Sequence, residues 1–214
     1  MNRRELLKQI ALLTGGVVIG GEVFLSGCKS PGKEVGFTET NIALLDEVGE
    51  TILPATSTPG AKAARIGQFM KTIVNDCYTE NQQAVFTNGM QQLGDECKKA
   101  TGKTFLECSA QERHNFLLTL EKEAKEYNDK IEAEDKPKRE KVKEENKKLD
   151  WKNHKEFEGT PSHYYTMMKQ LTLWGYFTSK EGMTKALDYQ PVPGKYVGCI
   201  DYKQGDKKQV GLGG

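Results

Sequence analysis

The sequence predicts an all-α fold: a small helical domain with a long charged helical insertion and irregular loops rich in proline and glycine. Apolar residues recur every three or four positions over most of the chain after residue 38, which is the spacing of one helix face. Charged residues dominate positions 121–158, where a solvated helix is expected. Between these patterns lie stretches with proline and glycine, such as residues 53–60, which indicate loops.

The length and charge of the chain limit its organisation and its partners. With 31 basic and 30 acidic residues among 214, the net charge is +1, so the charge does not indicate nucleic acid as a partner. The length that remains after an N-terminal targeting segment fits one domain. We expect a signal peptide at 1–27, a tether at 28–37, a helical domain at 38–202 that contains the charged insertion 121–158, and a flexible tail at 203–214.

The N-terminal segment resembles an export signal. Arg3 and Arg4 form an adjacent basic pair, and the weakly apolar stretch that follows at 10–24 is shorter than the roughly 20 residues of a membrane-spanning helix. The segment ends in Leu-Ser-Gly-Cys at Cys28, which resembles the lipobox of bacterial lipoproteins. This order of features is typical of the twin-arginine route. We therefore expect export to the periplasm and a lipid on Cys28 that anchors the protein to the cell envelope.

The first three helices are predicted from caps, proline and apolar spacing. Thr38 or Thr40 can cap the first helix, which should end before Pro54 because proline lacks an amide proton and clashes with the preceding turn. A second helix is expected at about 65–78, where apolar residues line one face. A third helix is expected to begin after Thr79.

A fourth helix is predicted to lead into the charged insertion. Ser109 and Glu112 have the spacing of a capping box, which places a helix start at that point. Pro137 should interrupt the charged sequence that follows, so we expect two charged helical pieces that project from the domain. The alternative to a solvated projection is a docking arm for a partner.

An aromatic sequence follows the charged insertion. From residue 161 the pattern predicts a helix with large apolar residues on more than one face, among them Trp174, Tyr176 and Phe177. Such a helix is either the central core helix or part of a protein interface, where aromatic residues are enriched. The loop at 191–198 contains two prolines, and a stiff loop loses little entropy on docking.

Two segments of the chain resemble one protein family. The string TILPATSTPGAKAARIGQFM at 51–70 resembles the start of the gluconate 2-dehydrogenase subunit 3 family. The Gly-Tyr-Phe-Thr-Ser and Pro-Val-Pro-Gly elements within 173–199 resemble the end of that family. The resemblance does not cover the charged insertion. It implies a non-catalytic accessory subunit, a large partner subunit that carries FAD and oxidises a sugar or sugar acid, and a cytochrome c subunit that receives the electrons.

The sequence predicts no catalytic residue, no metal ligand and no cofactor in this chain. It has no dinucleotide-binding, P-loop or nucleophile-elbow motif, and its three histidines do not cluster with cysteines at zinc-ligand spacing. The expected site is a partner interface. Its predicted residues are Pro54, Pro59, Trp174, Tyr176, Phe177, Pro193, Tyr196 and Cys199. Two alternatives stay open: a stand-alone α-helical envelope lipoprotein that binds or scaffolds, and an enzyme whose site no motif reveals.

Four cysteines remain beyond Cys28. Cys77, Cys97, Cys108 and Cys199 would meet oxidising conditions after export, and they allow three pairings that the sequence cannot distinguish. Cys199 lies outside any predicted helix. Both a bond from Cys199 to a cysteine of the partner and a bridge to one of the other three cysteines are open.

Overall fold

Five α-helices account for most of the described part of the chain, which confirms the all-α prediction. The computed structural model describes residues 36–192, 194, 199, 201 and 203–211. The helices are α1 at Glu39–Ile52, α2 at Ile66–Cys77, α3 at Glu80–Thr101, α4 at Ala110–Asn146 and α5 at Tyr164–Thr178. Two 3₁₀ turns occupy Ala61–Ala64 and Trp151–Asn153, and a π-helical turn occupies Gly182–Ala186.

A short pair of parallel strands follows the helices. β1 (Asp188–Gln190) pairs with β2 (Gln209–Gly211) in a register that sets Asp188 opposite Gln209. β2 lies within the segment that was expected to be a flexible tail. Main-chain hydrogen bonds to β1 therefore hold part of that segment in place.

Side-chain caps mark the start of α1, α3 and α4. The Thr38 hydroxyl accepts from the backbone N–H of Asn41 at the start of α1, which confirms Thr38 as the cap. Ser109 and Glu112 form the predicted capping box of α4, in which the Glu112 carboxylate accepts the Ser109 N–H at 2.7 Å. Thr79 caps α3 in the same way. Each cap satisfies amide protons that have no partner inside the helix.

The core is built from one face of each helix. α2 packs against α1 and α5, and α5 also contacts α3 and α4. The largest fully buried apolar side chains include Phe86, Phe105, Leu45, Ile66, Met70, Leu93, Leu120 and Met168. Gly89 allows the close crossing of α3 and α5, since a Cβ at this position would lie 2.2 Å from the Cβ of Tyr164. Within the described ranges, no helix has both the length and the apolar content to cross a membrane.

The charged segment differs from its prediction, because α4 continues through Pro137 without a break. Proline removes one helical hydrogen bond, that of the carbonyl four residues earlier, and its ring crowds that same carbonyl. Both Pro137 and Ala133 are exposed, so water can solvate the freed carbonyl and the helix can bend locally. The prediction of two helical pieces was therefore wrong: a single helix of 37 residues connects the core to the charged region.

The chain after α4 returns alongside the charged half of the helix. The Asp135 carboxylate accepts from the backbone N–H of Thr160 at 2.6 Å. The Asn146 side chain bonds both the N–H and the C=O of Lys155, each at 2.8 Å. The Asn128 side chain accepts from the His163 N–H at 2.9 Å. We call residues 125–163 the charged arm; it consists of a helix and a return segment that polar side chains join.

Candidate partner-docking surface

The structure brings together two of the predicted interface segments. Tyr176 of α5 donates its hydroxyl proton to the Pro59 carbonyl in the loop after α1, at 2.6 Å, across 117 positions of sequence. Pro54 in the same loop is exposed, and Pro59 is half-buried. Tyr176 itself is only 4 % exposed, so the prediction that placed this ring on the surface does not hold. The ring supports the loop from the core side, because its hydroxyl needs a hydrogen-bond acceptor once it is buried.

The loop is held in one conformation by a carboxylate from α1. Glu50 accepts the backbone N–H of Ala55 at 2.8 Å and that of Lys62 at 2.9 Å. The Leu53 carbonyl accepts the N–H of Ala61 at 2.9 Å and closes the loop. A loop that is already ordered in the free subunit loses little conformational entropy when a partner binds it.

A second carboxylate of α1 connects this loop to the corner between α3 and α4. Glu47 forms ion pairs with Lys62 and Arg113. Arg113 also donates to the carbonyls of Phe105 at 2.9 Å and Leu106 at 2.8 Å. Burial acts to raise the pKa of Glu47, but the hydrogen bonds and positive charges of Lys62 and Arg113 outweigh it and hold the pKa below its usual value. Glu47 is therefore ionised at neutral pH and fixes both segments.

Large apolar side chains lie exposed on one side of α5. Trp174 is 52 % exposed and Phe177 is 40 % exposed, and Leu173 is comparable. The Trp174 ring packs edge-on against Phe69 of α2, with centroids 5.3 Å apart. Phe69 in turn lies against Gly175, where a Cβ would be 2.5 Å from the Phe69 ring. We call Phe69, Leu173, Trp174 and Phe177 the aromatic patch; tryptophan and other aromatics with this exposure are typical of protein interfaces.

Five of the predicted functional residues lie outside the described residues. These are Arg3 and Arg4 of the export signal, Cys28 of the lipobox, and Pro193 and Tyr196 of the interface. Their roles stay predictions. Cys199 is described; it is exposed and has no disulfide. A bond from Cys199 to a partner cysteine also stays a prediction.

Other surfaces of the described chain form grooves. One is an open groove of about 690 Å³ between α3 and α4, bordered by carboxylates that include Glu96, Glu112 and Glu123. Glu96 accepts the Tyr164 hydroxyl proton at 3.0 Å. In the part of the chain that the structure describes, no three histidine, cysteine, aspartate or glutamate side chains converge to hold a metal ion.

The sequence-based interface prediction omitted two residues that shape the surface. Glu50 fixes the loop through two backbone amides, although an acidic residue on an amphipathic helix normally faces water. Phe69 stands at core spacing on α2, yet it is half-buried and supports Trp174. The one sequence feature that could have indicated Phe69 is that a large aromatic residue stands at the border between the apolar and the polar face of α2.

The fold and the site define a small helical domain that presents an ordered loop and an exposed aromatic patch. The chain belongs to the gluconate 2-dehydrogenase subunit 3 family, whose model matches residues 39–194. The predicted resemblance is thereby confirmed, and the chain is an accessory subunit of a dehydrogenase complex. The chain matches no curated protein and no solved structure.

Proposed function

We propose that this chain is the non-catalytic small subunit of an exported, FAD-dependent gluconate or sugar dehydrogenase complex. In this proposal it supplies the export signal, the lipid anchor and a stabilising surface for a flavoprotein subunit of the glucose–methanol–choline type. The observation that carries the proposal is the family match over residues 39–194. Arg3, Arg4 and Cys28 support the export and anchoring roles through their sequence pattern.

The export route and the missing cofactor motif support the assignment of FAD to the partner. Twin-arginine export transports proteins that have already folded, often around a cofactor. The sequence of this chain shows no motif for a dinucleotide or flavin. A twin-arginine signal on a chain without a cofactor motif makes sense if the chain is exported together with a folded flavoprotein that has no signal of its own. Electrons from the FAD would then pass to a cytochrome c subunit.

The flavoprotein is proposed to bind the aromatic patch and the adjacent loop 53–60. Trp174 presents about half of its surface to solvent while its edge is fixed by Phe69, so it is a preordered anchor. Glu50 and Tyr176 fix the loop from the α1 and α5 sides. Burial of this surface by a partner would remove apolar area from water at a low entropic cost.

Co-purification with a flavoprotein of the glucose–methanol–choline type from the same organism tests the docking surface. We expect Trp174→Ala to weaken the complex by at least about 2 kcal/mol, or roughly thirtyfold in Kd, if Trp174 is an interface hot spot. Trp151→Ala is the matched control, because Trp151 is the other tryptophan and is 72 % exposed at the far end of the charged arm. Titration of one labelled subunit with the other measures both variants.

Two results would contradict the docking proposal. Equal losses in Trp174→Ala and Trp151→Ala would show that the aromatic patch has no special role. Purification of the chain without any flavoprotein, under conditions that keep the complex of a family member intact, would favour the stand-alone lipoprotein. Circular dichroism of each variant confirms that the helices remain folded.

Cell fractionation tests export and anchoring separately. Replacing Arg3 and Arg4 by Lys should leave both this chain and the flavoprotein in the cytoplasm, because the two would be exported together.

Cys28→Ala should release the exported complex from the membrane fraction, since the lipid is its expected attachment. Normal export of the flavoprotein in the double Lys variant would separate the two proteins, whereas a membrane-bound Cys28→Ala variant would contradict the lipid anchor.

A further inference from the structure

Two of the four described cysteines meet in the core at the corner between α3 and α4. Cys97 lies on α3 and Cys108 lies just before α4, and their Sγ atoms are 3.7 Å apart. Cys97 is 0 % exposed and Cys108 is 4 % exposed. The Thr101 hydroxyl contacts both sulfurs, at 3.8 Å from Cys97 and 3.4 Å from Cys108. The two thiols are thus in contact inside the native fold.

We propose that Cys97 and Cys108 are the site of a disulfide that forms in the folded chain after it leaves the reducing cytoplasm. The location of this step rests on the proposed export, whereas the pairing rests on geometry alone. Cys77 and Cys199 are both exposed, whereas Cys97 and Cys108 are buried and contact each other. Of the three pairings that four cysteines allow, the structure therefore selects the one that contains a Cys97–Cys108 bond.

Little movement is needed to close the bond. A disulfide has a sulfur–sulfur distance of about 2.05 Å, so the two sulfurs must approach by about 1.7 Å. The six residues that join α3 to Cys108 form a tight turn in which the Thr104 carbonyl accepts the Cys108 N–H at 3.2 Å. Rotation of the two side chains can supply the approach while both helices stay in place.

The oxidant is a disulfide, either of a protein or of glutathione, and the reaction is thiol–disulfide exchange. The Cys108 thiol, which is the more accessible, loses its proton and attacks the oxidant's sulfur–sulfur bond, which breaks. Burial raises the pKa of Cys97, so its thiol is protonated at neutral pH and must release that proton to water before it attacks the Cys108 sulfur of the mixed disulfide. The Cys97 thiolate then displaces the second thiol. The protein loses two hydrogens, and the oxidant becomes two thiols.

The position of the bond gives it a consequence for the docking surface. The turn that the bond would close also contains Phe105 and Leu106, whose carbonyls hold Arg113. Arg113 pairs with Glu47, which pairs with Lys62 beside the docking loop. A cross-link at the corner would limit local opening of the turn and keep this series of contacts in place. The folded subunit would thus be strengthened after export.

Peptide mapping of the full chain tests the pairing in a defined glutathione buffer, independently of export. The purified protein is equilibrated with oxidised glutathione, quenched in acid, denatured and alkylated without reductant. We expect a linked pair of peptides that contain Cys97 and Cys108, two hydrogens lighter than their sum, with Cys77 and Cys199 each either alkylated or joined to one glutathione. Alkylation of both Cys97 and Cys108, or a bond from either to Cys77 or Cys199, would overturn the proposal.

Thermal unfolding provides a second measurement that does not depend on mapping. Oxidation should raise the Tm of the wild-type chain by about 5–10 °C, as expected when a short loop is closed in a domain of this size. Cys97→Ala and Cys108→Ala should each abolish this redox-dependent shift, while the controls Cys77→Ala and Cys199→Ala should retain it. A wild-type Tm that is the same in oxidising and in reducing buffer would overturn the stabilising role of the bond. If the bond forms in vitro but cell fractionation finds the chain in the cytoplasm, the proposed export is contradicted. The Cys97–Cys108 pairing is still supported in that case.

Discussion

The helical core and the charged arm are stabilised by different interactions, although one helix belongs to both. In its N-terminal part α4 buries Leu117, Leu120 and Ala124 against the other helices. Beyond Ala124 its single buried side chain is that of Asp135, a carboxylate. The same helix is therefore fixed by apolar packing at one end and by polar contacts to the return segment at the other.

The difference shows what a charged helix needs in order to keep a fixed structure. Ion pairs such as Arg139–Glu132 and Lys147–Glu144 are largely exposed, and exposed pairs contribute at most about 1 kcal/mol each. The contacts that specify the arm are instead those of Asn128, Asp135 and Asn146 to backbone atoms of the return segment. These contacts are directional, so they fix a conformation even where they add little net stability.

Removal of a core ring should produce the largest change. Phe86→Ala should lower the free energy of unfolding by about 3–5 kcal/mol, because Phe86 is fully buried and its loss leaves a cavity between Phe37 and Tyr78. Urea unfolding followed by the fluorescence of Trp174, in a Trp151→Phe background, measures the core. A loss below about 1 kcal/mol would mean that the site collapses around the smaller side chain and that packing there is loose.

Neutralising Asp135 should weaken the arm in a pH-dependent way. The N–H of Thr160 and the ammonium group of Lys138 hold the pKa of Asp135 at about 2, below its usual value of about 4. Because the pKa is depressed in the folded state, the contribution to stability is full above about pH 5 and is lost as the pH falls toward 2. Asp135→Asn should therefore lower the urea midpoint reported by Trp151 at neutral pH, and the difference from wild type should vanish near pH 2.

Glu134→Gln is the matched control for this measurement. Glu134 is the neighbouring acidic residue, and it is exposed. The change should leave the midpoint unaltered at every pH. A loss in Asp135→Asn that persists unchanged down to pH 2 would show that the charge of Asp135 does not stabilise the arm.

Truncation of the arm should have the smallest effect on the core. The 2.6 Å bond between Asp135 and Thr160 brings two distant positions together, so residues 136–159 can be replaced by a short glycine linker. We expect a cooperative transition with the core free energy of unfolding changed by less than about 1 kcal/mol, because the removed segment buries little apolar area. Loss of cooperativity would place part of the arm in the folding unit of the core.

The boundaries of that truncation depend on tertiary contacts that sequence patterns could not predict. The scarcity of apolar residues suggests that the whole segment 123–155 is dispensable, but Ala124 is buried and Asn128 holds the start of α5 through His163. The Asn128 side chain contacts the backbone of His163, 35 positions away, and a local sequence pattern cannot predict such a contact. Similarly, proline disfavours a helix interior without always ending the helix, and the surroundings of Pro137 are a property of the fold that the sequence pattern does not report.

The elements that depend on local interactions were predictable. Thr38 and Ser109 cap their helices through residues three positions away, so sequence spacing was sufficient. The docking surface was predictable only in part. Trp174 and Phe177 lie exposed as expected, whereas Tyr176, next to Phe177, is buried because its position on α5 turns it toward Pro59. Aromatic composition marks such a helix, but tertiary contacts decide which rings face the solvent.

The length of α4 has a consequence for how the charges of the arm act. From Ala124 to Asn146 the helix rises about 33 Å, and electrostatic forces in physiological salt decay over about 8 Å. The outer charges are thus roughly four screening lengths from the core, and their fields are negligible at Glu47 and at the docking loop. Mutations can consequently reverse the sign of the net charge on the outer arm without altering the ionisation of groups at the core. The outer arm can therefore gain or lose electrostatic attraction to another charged molecule while the groups at the core keep their charges.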